Sequence, residues 1–116
     1  MMQLGQDFTF TASRKLVTAK GQPLHTHKYR LRVVVKGALN EDDMVADAAT
    51  VRKVVHDLVI KKLDNNALNE FFKQPTLEAV AQWVFAELYD LGVEEIILWE
   101  NPMLFVRVTQ ESKKKK

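Results

Sequence analysis

The chain has no cysteine, which excludes disulfides, thiolate metal ligands and a cysteine nucleophile, and leaves His, Asp, Glu, Lys, Arg or a metal to carry any chemistry. Proline and glycine are sparse, with 3 and 4 copies in 116 residues, so low-complexity and collagen-like classes are excluded as well. No window approaches the ~20 consecutive apolar residues of a membrane-spanning helix, and the N-terminus shows no basic segment followed by an apolar one. No membrane partner is expected, and a cytoplasmic location is the default. Net charge is also small, at +2. Four of the positive charges are Lys113, Lys114, Lys115 and Lys116, so the remainder of the chain is slightly acidic, at −2. Without a basic stripe interleaved with aromatics, no nucleic-acid partner is expected either. Residues 1–112 read as a single domain and 113–116 as a solvated lysine tail.

From Phe8, the residues Phe8, Phe10 and Ala12 share one parity and Thr9, Thr11 and Ser13 the other, the alternation of a half-buried strand. Arg14 falls on the apolar parity. After a polar connection with Gly21 and Pro23, a second strand places His25, His27, Tyr29, Leu31, Val33 and Val35 on one side and closes at Lys36-Gly37. The two strands form a long hairpin. Asp47 is the N-cap of an amphipathic helix with Val51, Val54, Val55, Leu58 and Val59 on its apolar face, ending near Leu63-Asp64. A second helix starts at Pro75-Thr76, carries Leu77, Val80, Ala81, Val84, Phe85 and Leu88 at helical spacing, and stops at Gly92. Residues 94–100 and 103–108 read as two further strands joined across Asn101-Pro102.

The order ββααββ implies an α+β fold, a four-stranded antiparallel sheet with two helices on one face. Its other face is then solvated or buried by another subunit. Apolar residues on both parities of the last two strands, Val93, Ile97 and Trp99 against Ile96 and Leu98, point to assembly into a closed barrel of several subunits, a homo-oligomer. Trp99 and Phe105 are read as packing residues, and His56 as a surface histidine.

His25-Thr26-His27 places two imidazoles on one strand face, the beginning of a metal site. Two imidazoles alone are incomplete, since a catalytic zinc normally has three protein ligands and a water. Arg14, on the neighbouring strand, adds a guanidinium that never loses its proton and repels a cation. It either holds an oxyanion or phosphate of a ligand by bidentate hydrogen bonds or pairs with a neighbouring carboxylate. Glu100 shares the parity of Ile96 and Leu98 at a strand end, where an ionised carboxylate needs partners. It either accepts two parallel N–H donors from a ligand or faces water.

Six short segments, in this order, resemble the 6-pyruvoyl-tetrahydropterin synthase and 6-carboxy-tetrahydropterin synthase family: Phe10-Thr11-Ala12-Ser13, His25-Thr26-His27-Lys28-Tyr29, Met44-Val45-Ala46-Asp47, Leu63-Asp64-Asn65-Asn66-Ala67-Leu68-Asn69, Pro75-Thr76-Leu77-Glu78 and Trp99-Glu100-Asn101-Pro102. The resemblance runs from Phe8 to about Val108 and implies the T-fold, a trimer or hexamer, and a pterin or related purine-like small-molecule ligand. It also implies roles: Glu100 and Thr76 bind the ligand; Asp64, His25, His27 and Arg14 are the catalytic candidates; His25 and His27 are the metal positions. The family's machinery is incomplete, because Arg14 stands at the first zinc histidine, about Gly21 at the cysteine base and Asn65 at the relay histidine. The usual synthase activity is therefore not expected, no cofactor is expected, and zinc would lack its third histidine. The implied function is a lyase or aldolase with changed chemistry, in which Lys20 is the residue nearest the missing base. The alternative is a catalytically inactive ligand-binding or assembly T-fold protein.

Overall fold

The computed structural model describes residues 2–15, 24–37, 40–44 and 47–110; Lys20, Gly21, Val45, Ala46 and the lysine tail lie outside them. Strand β1 (Met2–Arg14) pairs antiparallel with β2 (His25–Gly37) along its whole length, from Met2 opposite Gly37 to Arg14 opposite His25. β1 thus begins six residues before the alternation from Phe8 suggested. Gln3, Gly5 and Gln6 interrupt the apolar pattern there, and pairing with the strongly β-prone β2 extends the strand regardless.

A first helix runs through Ala48–Val55, His56–Ile60 and Lys61–Leu63, and a second spans Leu77–Glu87. Asp47 caps the first by accepting a hydrogen bond from the Ala49 backbone N–H, and Thr76 caps the second through Ala79 N–H. Gly92, at φ 81°, ends the turn after the second helix in the left-handed region that glycine enters freely. β4 (Val93–Asn101) and β5 (Leu104–Thr109) complete the main sheet.

Two features depart from expectation. The middle of the first helix, His56–Ile60, is π-helical, and the extra residue in that turn rotates the apolar face. Val51, Val55, Val59, Ile60 and Leu63 are buried, whereas Leu58 is exposed. Among the described residues the sheet has five strands instead of four, because Asn66–Ala67 forms a short β3 parallel to Ala12–Ser13, giving the order β3-β1-β2-β4-β5.

Both helices cover one face of the sheet. Phe10, Tyr29, Leu31, Val33, Ile96 and Leu98 from the strands meet Val55, Val59, Leu63, Val80, Val84 and Phe85 from the helices in one buried cluster. The opposite face is less apolar than the sequence suggested. Val34 faces Glu95 while Val35 faces Val93, so Glu94 is an extra residue that inverts the alternation and turns Val93 into the core. Ile97 remains on the outer face, and Trp99 is a platform there, with the Arg30 guanidinium 3.8 Å from its ring centroid. Asp7 accepts two hydrogen bonds from Arg32 at 2.7 and 3.0 Å, which hold its carboxyl below the usual range. Trp99 and the half-exposed Phe105 are thus surface partners of each other, and Trp99 also of two arginines, Arg30 and Arg32. Among the described residues, no helix is long and apolar enough to cross a membrane.

Candidate functional site

The site lies on the helix face, at the end of the sheet where β1 stops and β2 starts. Strand alternation carries the side chain of Arg14 to the side of Phe10 and Ala12, and the register sets Arg14 opposite His25 and Ala12 opposite His27. β4 brings Glu100 to the same end. Trp99 pairs with Phe105 and Asn101 with Leu104, so Glu100 is the extra residue of a bulge, a device that aims a side chain away from the regular ladder.

Arg14 and Glu100 form an ion pair through Nη2 and Oε1. Arg14 Nη1 also donates to the Pro75 carbonyl at 2.9 Å, reaching the loop that starts the second helix. The other carboxylate oxygen of Glu100 lies 3.3 Å from Nε2 of His27. Only 11% of the Glu100 side chain and 13% of that of Arg14 are exposed, so Glu100 does not face water. Arg14, Glu100, Thr76 and Glu78, with Leu77, Leu104 and Val106, line a cavity of about 170 Å³. Thr76 uses its hydroxyl oxygen to cap the helix, accepting from Ala79 N–H at 3.0 Å, which leaves the hydroxyl hydrogen free to donate.

The His25 and His27 rings lie 6.1 Å apart and 25° from parallel, with His25 exposed and His27 half-buried. Among the described residues, no three His, Cys, Asp or Glu are placed to hold a metal ion. Arg14 occupies the position a third ligand would need, and a guanidinium has no lone pair to give. Among the described residues, the donor set therefore does not fit zinc.

Asp64 is placed elsewhere. Its Oδ1 accepts from the Thr11 backbone N–H at 2.9 Å, while Asn65 N–H donates to the Thr11 carbonyl at 2.6 Å. These bonds tie the end of the first helix to β1, and no hydrogen bond or ion pair joins Asp64 to the Arg14–Glu100–His27 cluster. Asn65, at φ 63°, takes the left-handed conformation that this turn requires.

Two participants were not singled out from sequence. The Pro75 carbonyl carries no side-chain signal. Tyr29 does carry one, since it shares the parity of His25 and His27. It stacks on Phe10 at 5.0 Å, meets His27 edge-on at 6.0 Å, is fully buried, and its hydroxyl has no hydrogen-bond partner among the described residues. Burial pushes the Tyr29 phenol up to about 12; the nearby Arg14 charge opposes this and that of Glu100 adds to it. Below the ordinary phenol value both folded and unfolded states hold the proton. Above it the unfolded chain ionises first, so stability falls as pH rises toward 12. Tyr29→Phe is therefore expected to remove an alkaline loss of about 1.4 kcal/mol at pH 11, while leaving stability at pH 7 unchanged or higher by up to about 1 kcal/mol. Urea unfolding of both proteins at pH 7 and pH 11 reads this; a parallel pH dependence would show that another group governs the alkaline limb.

A five-stranded sheet with two helices on one face and a carboxylate–guanidinium–imidazole cluster at its end defines a T-fold protein with charged side chains in a small pocket. The chain belongs to the 6-pyruvoyl tetrahydropterin synthase family, whose model matches residues 3–111. It is 32% identical over 98 residues to the dihydroneopterin monophosphate aldolase of Pyrococcus furiosus, covering 80% of this chain and 84% of that one. It is 35% identical over 97 residues to the 6-carboxy-5,6,7,8-tetrahydropterin synthase of a Synechocystis species, covering 76% and 75%. The structure of the Caenorhabditis elegans 6-pyruvoyl tetrahydropterin synthase superposes with a TM-score of 0.82 at 22% identity, over 93% of this chain and 94% of that one. That last likeness supports the fold alone.

Proposed function

We propose that this protein binds a dihydropterin bearing a phosphorylated side chain and cleaves that side chain as a lyase of the aldolase type. The observation that carries the reading is the Glu100 carboxylate, nearly buried and aimed into the cavity beside the start of the second helix. A pterin's aminopyrimidinone edge offers two parallel N–H donors that match such a carboxylate. Arg14 supplies a fixed positive charge for an anion on the same ligand. The name of the Pyrococcus relative, an aldolase acting on a phosphorylated dihydropterin, agrees with both.

The reaction would need one proton removed and one returned. A base takes the proton of the second side-chain hydroxyl, and the bond between the first and second side-chain carbons breaks. A carbonyl forms on the departing fragment, and the electron pair passes into the ring's C=N bond. The ring fragment then regains a proton at the first side-chain carbon. His27, which touches Glu100 and is half-buried, is our candidate proton carrier, with His25 as its exposed neighbour. Asp64 is assigned a role in holding the first helix instead.

At about 170 Å³ the cavity is smaller than the roughly 300 Å³ of a typical ligand pocket. β5 leaves one sheet edge open, with Leu104 and Phe105 about half-exposed and Met103 more so in the turn before it. Both features favour a ring of copies, a trimer or a pair of trimers, in which a neighbour completes the pocket. Incubation with dihydroneopterin monophosphate is expected to release glycolaldehyde phosphate and 6-hydroxymethyl-dihydropterin, with light scattering on the same preparation showing an oligomer. Tight binding without turnover would identify a binding protein instead.

A further inference from the structure

We infer that Arg14 is a built-in plug for the Glu100 carboxylate and thereby makes a phosphate on the ligand a condition of binding. This rests on the pterin reading above. A guanidinium presents parallel N–H donors to a carboxylate, the same chemistry as the ligand edge that Glu100 would recognise. In this structure Oε1 of Glu100 is engaged by Arg14, and Oε2 lies 3.3 Å from Nε2 of His27. A ligand that brings only N–H donors must displace the guanidinium.

The displaced guanidinium has poor alternatives. Among the described residues its other hydrogen-bond acceptor is a single neutral carbonyl, that of Pro75, and the side chain is only 13% exposed. A nearly buried cation left with one neutral acceptor is strongly unfavourable. Glu78, on the rim of the same cavity, has an exposed side chain and forms no ion pair with Arg14. A ligand that carries an anion removes the difficulty, because Arg14 exchanges a carboxylate for a phosphate and Glu100 exchanges a guanidinium for the ligand's N–H edge. The two exchanges are coupled, so each favours the other by the same factor. Arg14 is thus a specificity-determining residue whose loss should help one ligand and hurt another.

Neopterin and neopterin monophosphate, titrated by fluorescence into the intact protein, test this. The unmutated protein should prefer the phosphorylated form by at least 100-fold. Arg14→Ala should reduce that preference below about 5-fold and bind plain neopterin about 10-fold more tightly than the unmutated protein does. A melting curve and light scattering would confirm that the variant folds and assembles. Should it fail to fold, the unmutated protein still decides the matter: millimolar inorganic phosphate should tighten its binding of plain neopterin several-fold. Equal affinities for the two pterins with no effect of phosphate, or weaker neopterin binding by folded Arg14→Ala, would overturn the plug and leave the pterin reading standing. Failure of both pterins to bind the folded protein and its variant would overturn the pterin reading, and the plug with it.

Discussion

Glu100→Ala is expected to lower the stability of the folded chain by about 3 kcal/mol, an effect far larger than the loss of an ordinary surface ion pair. The difference lies in burial. With Arg14 and Glu100 exposed by only 13% and 11%, removing the carboxylate strands a guanidinium that water reaches poorly and that, among the described residues, keeps only the Pro75 carbonyl as an acceptor. The same physics predicts that a second change rescues the first. Arg14→Ala combined with Glu100→Ala removes both charges, and its stability should return to within about 1.5 kcal/mol of the original, because the cost belongs to the unpaired charge more than to the lost pair. Urea denaturation of the two single variants and the double variant gives the coupling directly. Additive losses would show that Arg14 and Glu100 do not stabilise one another and that the pair is solvated in solution. Binding follows a different order: Glu100→Ala and the double variant should both lose pterin affinity, since the acceptor is gone in each.

The unmutated chain is expected to carry much less than one zinc per copy, and Arg14→His is expected to raise this toward stoichiometric zinc. Arg14 stands directly opposite His25 in the β1–β2 register, and His27 follows two residues along the same face. A histidine at position 14 would replace a repelling cation with a third imidazole lone pair, completing a three-histidine set on adjacent strands. Synthase chemistry should still be absent, because the family's cysteine aligns at about Gly21 and its relay histidine at Asn65. Elemental analysis after chelator-free purification measures the change. Tightly held, stoichiometric zinc in the unmutated protein would refute the prediction. It would point to Glu100, whose Oε2 already lies 3.3 Å from His27, as the third ligand in place of the lost histidine.

What the sequence determined by itself was local. The Asp47 and Thr76 caps, the stop at Gly92 and the alternation that puts Arg14, His25, His27 and Glu100 on the helix face depend on backbone periods and on bonds between near neighbours, and each is written within a few residues. The order of these elements, with the six short motifs, was enough to identify the family. The tertiary structure decided whatever depends on which distant segments meet. β3 exists only because β1 offers a parallel edge to a two-residue segment that has no strand pattern of its own. The π-helical turn that exposes Leu58 and buries Ile60, and the bulge that turns Val93 inward, each insert one residue into a regular period, and no period read from sequence shows where the insertion falls. Asp64 is a catalytic candidate by resemblance alone, and that its carboxylate accepts from a backbone N–H of β1, 53 residues away in the sequence, is visible only in the fold. The sequence left two roles open for Arg14, an anion on a ligand or a carboxylate of its own chain. That choice depended on Glu100, 86 residues distant, being carried to the same end of the sheet, and charge pairing at that range is set by strand order and register instead of local spacing.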